Sequence, residues 1–148
     1  MAEISRKELV LALIGADKPR LAGLDLSSEN LSRLDMENAN LRGAILQASN
    51  ANESIFRSAN MTGINMTGTQ AAYADFNAAN LTAGNLTLAN LTGARLTGAT
   101  LTNATLNGAN LKDASLKGAK VDGVKFDNAT TWPDGKKGTA GTPTSYTV

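Results

Sequence analysis

From Leu21 onward every fifth residue is apolar, and the register holds without a slip for more than a hundred positions. The series runs Leu21, Leu26, Leu31, Met36, Leu41, Leu46, Ala51, Phe56, Met61, Met66, Ala71, Phe76, Leu81, Leu86, Leu91, Leu96, Leu101, Leu106, Leu111 and Leu116, and closes with Val121 and Phe126. Two residues before each lies a second, mostly small series that includes Ala39, Ala44, Ala59, Ala74, Ala79, Ala89 and Ala94. The other three positions are chiefly Asn, Thr, Gly, Ser, Lys or Asp. A period of five matches neither the 3.6 of an amphipathic helix nor the 2.0 of an ordinary strand. The density of Asn, Thr and Gly opposes helix further. Such regular repetition is the mark of a solenoid whose coils share one continuous core.

Residues 59–63 read Ala-Asn-Met-Thr-Gly and residues 89–93 read Ala-Asn-Leu-Thr-Gly. This motif resembles the pentapeptide repeat family, A(D/N)LXX, and the resemblance covers roughly residues 19–130. It implies an all-β fold, a right-handed quadrilateral parallel β-helix with one pentapeptide per face and four per coil, the central Leu or Phe and the preceding Ala pointing inward.

A twenty-residue coil can also be tested on the residues themselves. Phe56 and Phe76 are twenty apart, as are Ala51 and Ala71, so each pair would stack on one face. Each bulky Phe is accompanied by a small Ala at the neighbouring central position, the volume balance a close-packed interior needs. The 22 central positions from Leu21 to Phe126 correspond to about five and a half coils, a stack of roughly 26 Å at the usual strand spacing.

A stacked coil leaves an open apolar end, and repeat proteins cap it. At the N-terminus Ser5 and Glu8 predict a helix capping box with Ile4 and Leu9 as its hydrophobic staple, and Gly15 as its stop. Leu9, Val10, Leu13 and Ile14 share one helical face, suited to lying on the first coil. That coil is irregular, with Leu24 and Leu34 in place of Ala and Glu29 at a nominally inward position, where an edge lets it reach solvent. At the other end the phase breaks at Thr131, and Trp132 is placed as a lid over Phe126. The Gly, Lys, Thr and Pro content of residues 136–148 reads as a mobile tail. The expected organisation is therefore a capping helix and linker at 1–18, the β-helix at 19–131, and a C-terminal cap with a disordered tail at 132–148.

Composition narrows function chiefly by exclusion. The chain holds no His and no Cys, which removes the commonest general base, the commonest metal ligands and any disulfide. Aromatics make up only 4%, so Leu and Ala must fill a narrow interior that leaves no room for a small-molecule substrate. The acidic residues form no convergent pair with a base. We therefore expect no enzyme, no cofactor and no metal. The longest apolar run, residues 9–14, is too short to span a bilayer and wrongly flanked for a signal peptide, so no membrane association is expected.

Several surface signals have bland explanations. Asn-x-Thr/Ser sequons recur because the repeat itself spells Asn-Leu-Thr, and carry no information about secretion. Thr62, Thr82 and Thr102 should align on one face and Thr67 and Thr87 on the next; these ladders resemble ice-binding surfaces, but outward Thr is simply favourable there. The terminal Tyr146-Thr147-Val148 has the form of a PDZ ligand, a pattern that chance often produces.

Charge discriminates among binding roles. Some pentapeptide repeat proteins are DNA mimics that bind DNA gyrase and affect quinolone sensitivity, a role requiring an acidic surface. This chain has net charge +1, and residues 58–111 carry only Asp75 and Arg95. Lys112, Lys117, Lys120 and Lys125 gather near the C-terminal end, but Asp113, Asp122 and Asp127 alternate with them without aromatic platforms, so nucleic acid is not an expected partner. Two apolar outliers, Ile55 and Tyr73, occupy nominally outward positions near the same corner, and Ile45 and Leu88 are outward as well. Ile55 and Tyr73 form the candidate partner patch. The expected role is a non-catalytic scaffold or protein-interaction module, bacterial and cytoplasmic, monomeric or weakly dimeric, binding a protein the sequence does not identify. The alternative is a DNA-mimic modulator of gyrase, disfavoured by charge.

Overall fold

The structure, a computed structural model, describes residues 4–148. It begins with helix α1, Arg6–Leu13. Ser5 caps it, accepting from the Glu8 amide while the Glu8 carboxylate accepts from the Ser5 amide at 2.8 Å. This reciprocal box satisfies amides that a helix start leaves without partners. Leu9 is fully buried and Ile4, Val10 and Leu13 pack partly against the core. Ile14 departs from the expected face. It is the C-cap, with extended backbone, and is 71% exposed because the helix ends before the residue can turn inward. The Arg6 guanidinium ties the helix to the first coil, donating to the carbonyls of Asn30 and of Ser32, the latter at 2.9 Å.

Beyond the helix the chain winds as a β-helix solenoid in which each five-residue unit meets the unit twenty residues on. Single parallel bridges join Arg20 to Asn40, Asn40 to Asn60, Asn60 to Asn80 and so on through Thr105 and Lys125. Among the described residues these bridges remain isolated, and no continuous strand forms. The expectation of an all-β sheet is corrected in this respect: a chain that turns every five residues never stays extended long enough.

The unit 41–45 shows how the backbone is satisfied. The amide of Leu41 donates to Asn60 in the next coil at 2.8 Å, and that of Gly43 to Thr62 at 2.9 Å. The Ala44 amide closes a β-turn onto Leu41 at 3.0 Å, while that of Ile45 reaches back to Leu24 at 2.9 Å. Only the Arg42 amide is out of reach of any coil, and the Asn40 side chain accepts it at 3.2 Å. Where a unit carries Asn or Asp at this position, its side chain thus forms an Asx-turn over the one amide that coil pairing omits. Asp25, Asn30, Asp35, Asn50, Asn60, Asn65, Asp75, Asn80, Asn85, Asn90 and Asn110 do the same. Where Gln70 and Arg95 interrupt this series, the missing acceptor comes from the preceding coil: Asn52 accepts the Ala72 amide at 2.8 Å, and Asn77 accepts the Thr97 amide at 3.0 Å.

The interior is filled by the two inward series. Leu41, Leu46, Phe56, Phe76, Leu81, Leu86, Leu91, Leu96, Leu101, Leu106, Leu111 and Leu116 are all at most 2% exposed. Phe56 and Phe76 stack with centroids 5.0 Å apart and ring planes 8° from parallel, and Ala51 and Ala71 are fully buried. Ser54 and Thr69 replace Ala in the small series, and their hydroxyls donate to the carbonyls of Leu31 and Leu46 at 2.7 and 2.6 Å. Ser49 is equally buried, but its hydroxyl has no partner. In the irregular first coil Leu34 is buried, while Leu24 and Glu29 are half-buried.

The register slips by one residue near the C-terminal end, where Asn110 bridges to Thr131 and Thr131 pairs antiparallel with Lys137. The Asp127 carboxylate covers the slip. It accepts from the amides of Gly108, Ala129 and Thr130, and these bonds, that of Gly108 foremost, hold it below the usual aspartate range. Trp132 is fully buried, edge-on to Phe126 at 5.1 Å. Residues 136–148 are not the mobile tail that their composition suggested. They form 3₁₀ turns at Gly138–Ala140 and Pro143–Tyr146. Trp132 organises them: Tyr146 stacks on it at 5.7 Å, and its indole N–H donates to the Gly138 carbonyl at 2.8 Å. The Gly118 amide then donates to the Thr147 carbonyl at 2.7 Å, and the Tyr146 hydroxyl to Asp134 at 3.0 Å.

Two stability predictions follow from the packing. Leu81→Ala or Leu101→Ala should each lower the unfolding free energy by about 2–5 kcal/mol in urea melts, the cost of an unfilled methylene cavity. Ser49→Ala should instead raise it by about 1 kcal/mol, because it removes a buried hydroxyl that bonds to nothing.

Candidate functional site

The two apolar outliers come together. Ile55 and Tyr73 line one shallow depression on the side of the solenoid with Glu53, Arg57, Asp75 and Arg95. The twenty-residue winding brings them there, since Ile55 bridges to Asp75 and Asp75 to Arg95. Ile55 is half-buried and Tyr73 is 63% exposed. Ile45 and Leu88 do not join them: Ile45 is half-buried in a separate depression beside Asp25, and Leu88 stands on another corner.

Tyr73 occupies the turn position where the backbone of the repeat is left-handed, with φ of +59°, a conformation it shares with other non-glycine residues such as Arg33, Glu53 and Leu88. Its ring lies across Gly93 in the next coil, so closely that a Cβ there would come within 2.4 Å of the ring edge. Leu88 lies over Gly108 in the same manner. At these two corners a bulky apolar residue is matched by a glycine twenty residues on, which leaves room for its side chain against the next coil.

The charged residues beside Tyr73 are organised around Asp75. This carboxylate, only 5% exposed, accepts from the Asn77 amide through Oδ1 and meets Arg57 Nε at 3.1 Å and Arg95 Nε at 4.0 Å through Oδ2. Burial of a carboxylate requires such partners. Glu53 turns away, bound by both Nε and Nη2 of Arg33 at 3.1 and 3.2 Å. The sequence signals both Asp75 and Arg95 as isolated charges, but only the coil length shows that Arg57, eighteen residues before Asp75, reaches the same oxygen.

Other surface features have internal uses. The hydroxyls of Thr62, Thr67, Thr82, Thr87 and Thr92 donate to the Asn side chain two residues earlier, at 2.6–2.8 Å. The repeated Asn-x-Thr is thus a doubly bonded turn. At the C-terminus Tyr146 and Thr147 are packed, so the last residues do not form a free ligand for a peptide-binding domain. Among the described residues no cluster of acidic side chains has the form of a metal site, and no helix is long and apolar enough to cross a membrane.

The family model for pentapeptide repeats matches in eight copies, over residues 20–57, 30–70, 53–87 and 94–130. The chain is a pentapeptide repeat protein. Its fold is similar to that of Rfr23, a pentapeptide repeat protein from the cyanobacterium Cyanothece 51142, with a TM-score of 0.78 and 25% identity over 86% of this chain and 99% of that one. It is also similar to a pentapeptide repeat protein of the Arabidopsis thaliana thylakoid lumen, with a TM-score of 0.51 and 28% identity over 72% of this chain and 70% of that one. QnrB1, a plasmid-mediated fluoroquinolone resistance protein, overlaps with a TM-score of only 0.35 at 24% identity, over 74% of this chain and 56% of that one. That overlap carries no argument. No curated protein matches.

The Tyr73 seat can be tested by a double-mutant cycle. Gly93→Ala should destabilise the protein by about 1–2 kcal/mol, since it combines left-handed strain with a clash against the ring. In a Tyr73→Ala background only the strain remains, and the cost should fall to about 1 kcal/mol in the same denaturant melts.

Proposed function

We propose that this pentapeptide repeat protein is a non-catalytic scaffold that binds a protein partner through the side of the solenoid marked by Ile55 and Tyr73. The observation that carries this reading is Tyr73, a large aromatic 63% exposed beside the half-buried Ile55 in one depression. Tyrosine is enriched at the centres of protein interfaces. A filled interior and a chain without His or Cys also favour binding over chemistry. The proposal includes a right-handed, four-sided winding, a cytoplasmic location and a monomer or weak dimer.

The DNA-mimic reading has less support. The one carboxylate of the middle coils, Asp75, is buried between two arginines and presents no negative face.

The full chain carrying Ile55→Lys and Tyr73→Lys should lose its specific partners in quantitative cross-linking from the source cells, while its far-ultraviolet spectrum and melting midpoint stay close to those of the wild type. Retention of every partner by the folded double variant would sink the proposal. Inhibition of gyrase supercoiling by micromolar wild-type protein would favour the DNA-mimic reading instead.

A further inference from the structure

The charges around Asp75 do not balance. One carboxylate faces two guanidinium groups, and the only other acid at the depression, Glu53, is already taken by Arg33. Both arginines approach Asp75 through Nε. Among the described residues no contact occupies their terminal nitrogens, and their side chains are 47% and 64% exposed. Guanidinium presents its terminal donors in a fixed fork that suits a carboxylate. Asp75 thus faces both guanidinium groups, Arg57 closely and Arg95 at the longer distance of 4.0 Å, and neutralises one of their two charges. From residue 58 to residue 111 no other charged side chain occurs, while the preceding coil sets Asp35 beside Ile55 and pairs Arg33 with Glu53.

The two guanidinium groups border apolar side chains. Ile55 and Tyr73 line the same depression, and an edge of the Tyr73 ring rests against Gly93. Contact with Gly93 and with Asp75 restricts these side chains before a partner arrives, which reduces the ordering cost of binding. Resting on the scaffold reading above, we propose that the Arg57–Asp75–Arg95 trio is the acceptor for an acidic side chain on the partner protein. The partner segment carries Asp or Glu next to an aliphatic or aromatic residue, the acid bridging the two guanidinium groups and the apolar neighbour lying on Ile55 and Tyr73. Charge complementarity sets the register and approach of that segment.

Random linear peptides displayed on phage and panned on the full chain provide the test, followed by dissociation constants for the enriched peptides by fluorescence anisotropy. Enriched sequences should carry Asp or Glu beside Leu, Ile, Phe or Trp. They should bind Arg95→Gln about tenfold more weakly, and weaken as sodium chloride rises. Arg95→Gln is the informative variant because Arg57 still holds Asp75 at 3.1 Å in its absence, which preserves the fold. Arg42→Gln, exposed and away from the depression, should bind as the wild type does. Failure to enrich any peptide, or equal binding to Arg95→Gln, overturns the proposal. Enrichment of uncharged peptides whose binding is lost in Tyr73→Lys also overturns acid docking, yet leaves the scaffold reading standing.

Discussion

The controlling constraint is the supply of hydrogen-bond acceptors to a backbone that turns every five residues. Coil-to-coil pairing and the β-turn together serve four of the five amides in each unit, and the fifth is left facing outward. A buried or half-buried amide without a partner is costly. In twelve units the Asn or Asp before the central residue meets that need, as Asn40 does for Arg42. Much of what looks like surface composition is therefore backbone accounting. At Gln70 and Arg95, where the local residue is lost, Asn52 and Asn77 of the preceding coil accept the amides of Ala72 and Thr97 instead.

Within that frame the core is an exercise in volume. The stacked Phe56 and Phe76 are accommodated because Ala51 and Ala71 yield space in the same coils. Ser54 and Thr69 of the small series return a hydroxyl to the previous coil, and Ser49 buries one that bonds to nothing. The interior has no spare room, which moves all possibilities for recognition to the outer faces. There the left-handed corner positions matter most, since their side chains must lie on the coil above or stand in solvent.

The solenoid was readable from the sequence because period and register are both properties of a one-dimensional pattern, and Phe56 with Phe76 gives the coil length directly. The capping box at Ser5 was equally local and equally legible. Ile14 was misplaced because a helical wheel does not know where its helix stops. The ordered C-terminal segment was hidden for a different reason: Tyr146 finds Trp132 across fourteen residues of turn-forming composition, and such a contact has no periodic signal. At the candidate site, Ile55 and Tyr73 stood out as apolar residues at polar positions. The trio beside them did not, because Arg57 and Arg95 lie on either side of Asp75 in sequence and converge only through the winding.

The one-residue slip between Asn110 and Thr131 bears on how such a chain can change in length. A block of twenty residues duplicated within the regular stack meets both neighbours in register, so the solenoid can lengthen in whole coils without inventing a new contact. The extra residue at the slip is absorbed before Thr131, so the chain re-enters the pattern of the coil below and the buried Trp132 takes the inward place. Duplication of whole coils in the middle therefore leaves the end marked by Asp127 and Trp132 to travel outward unchanged.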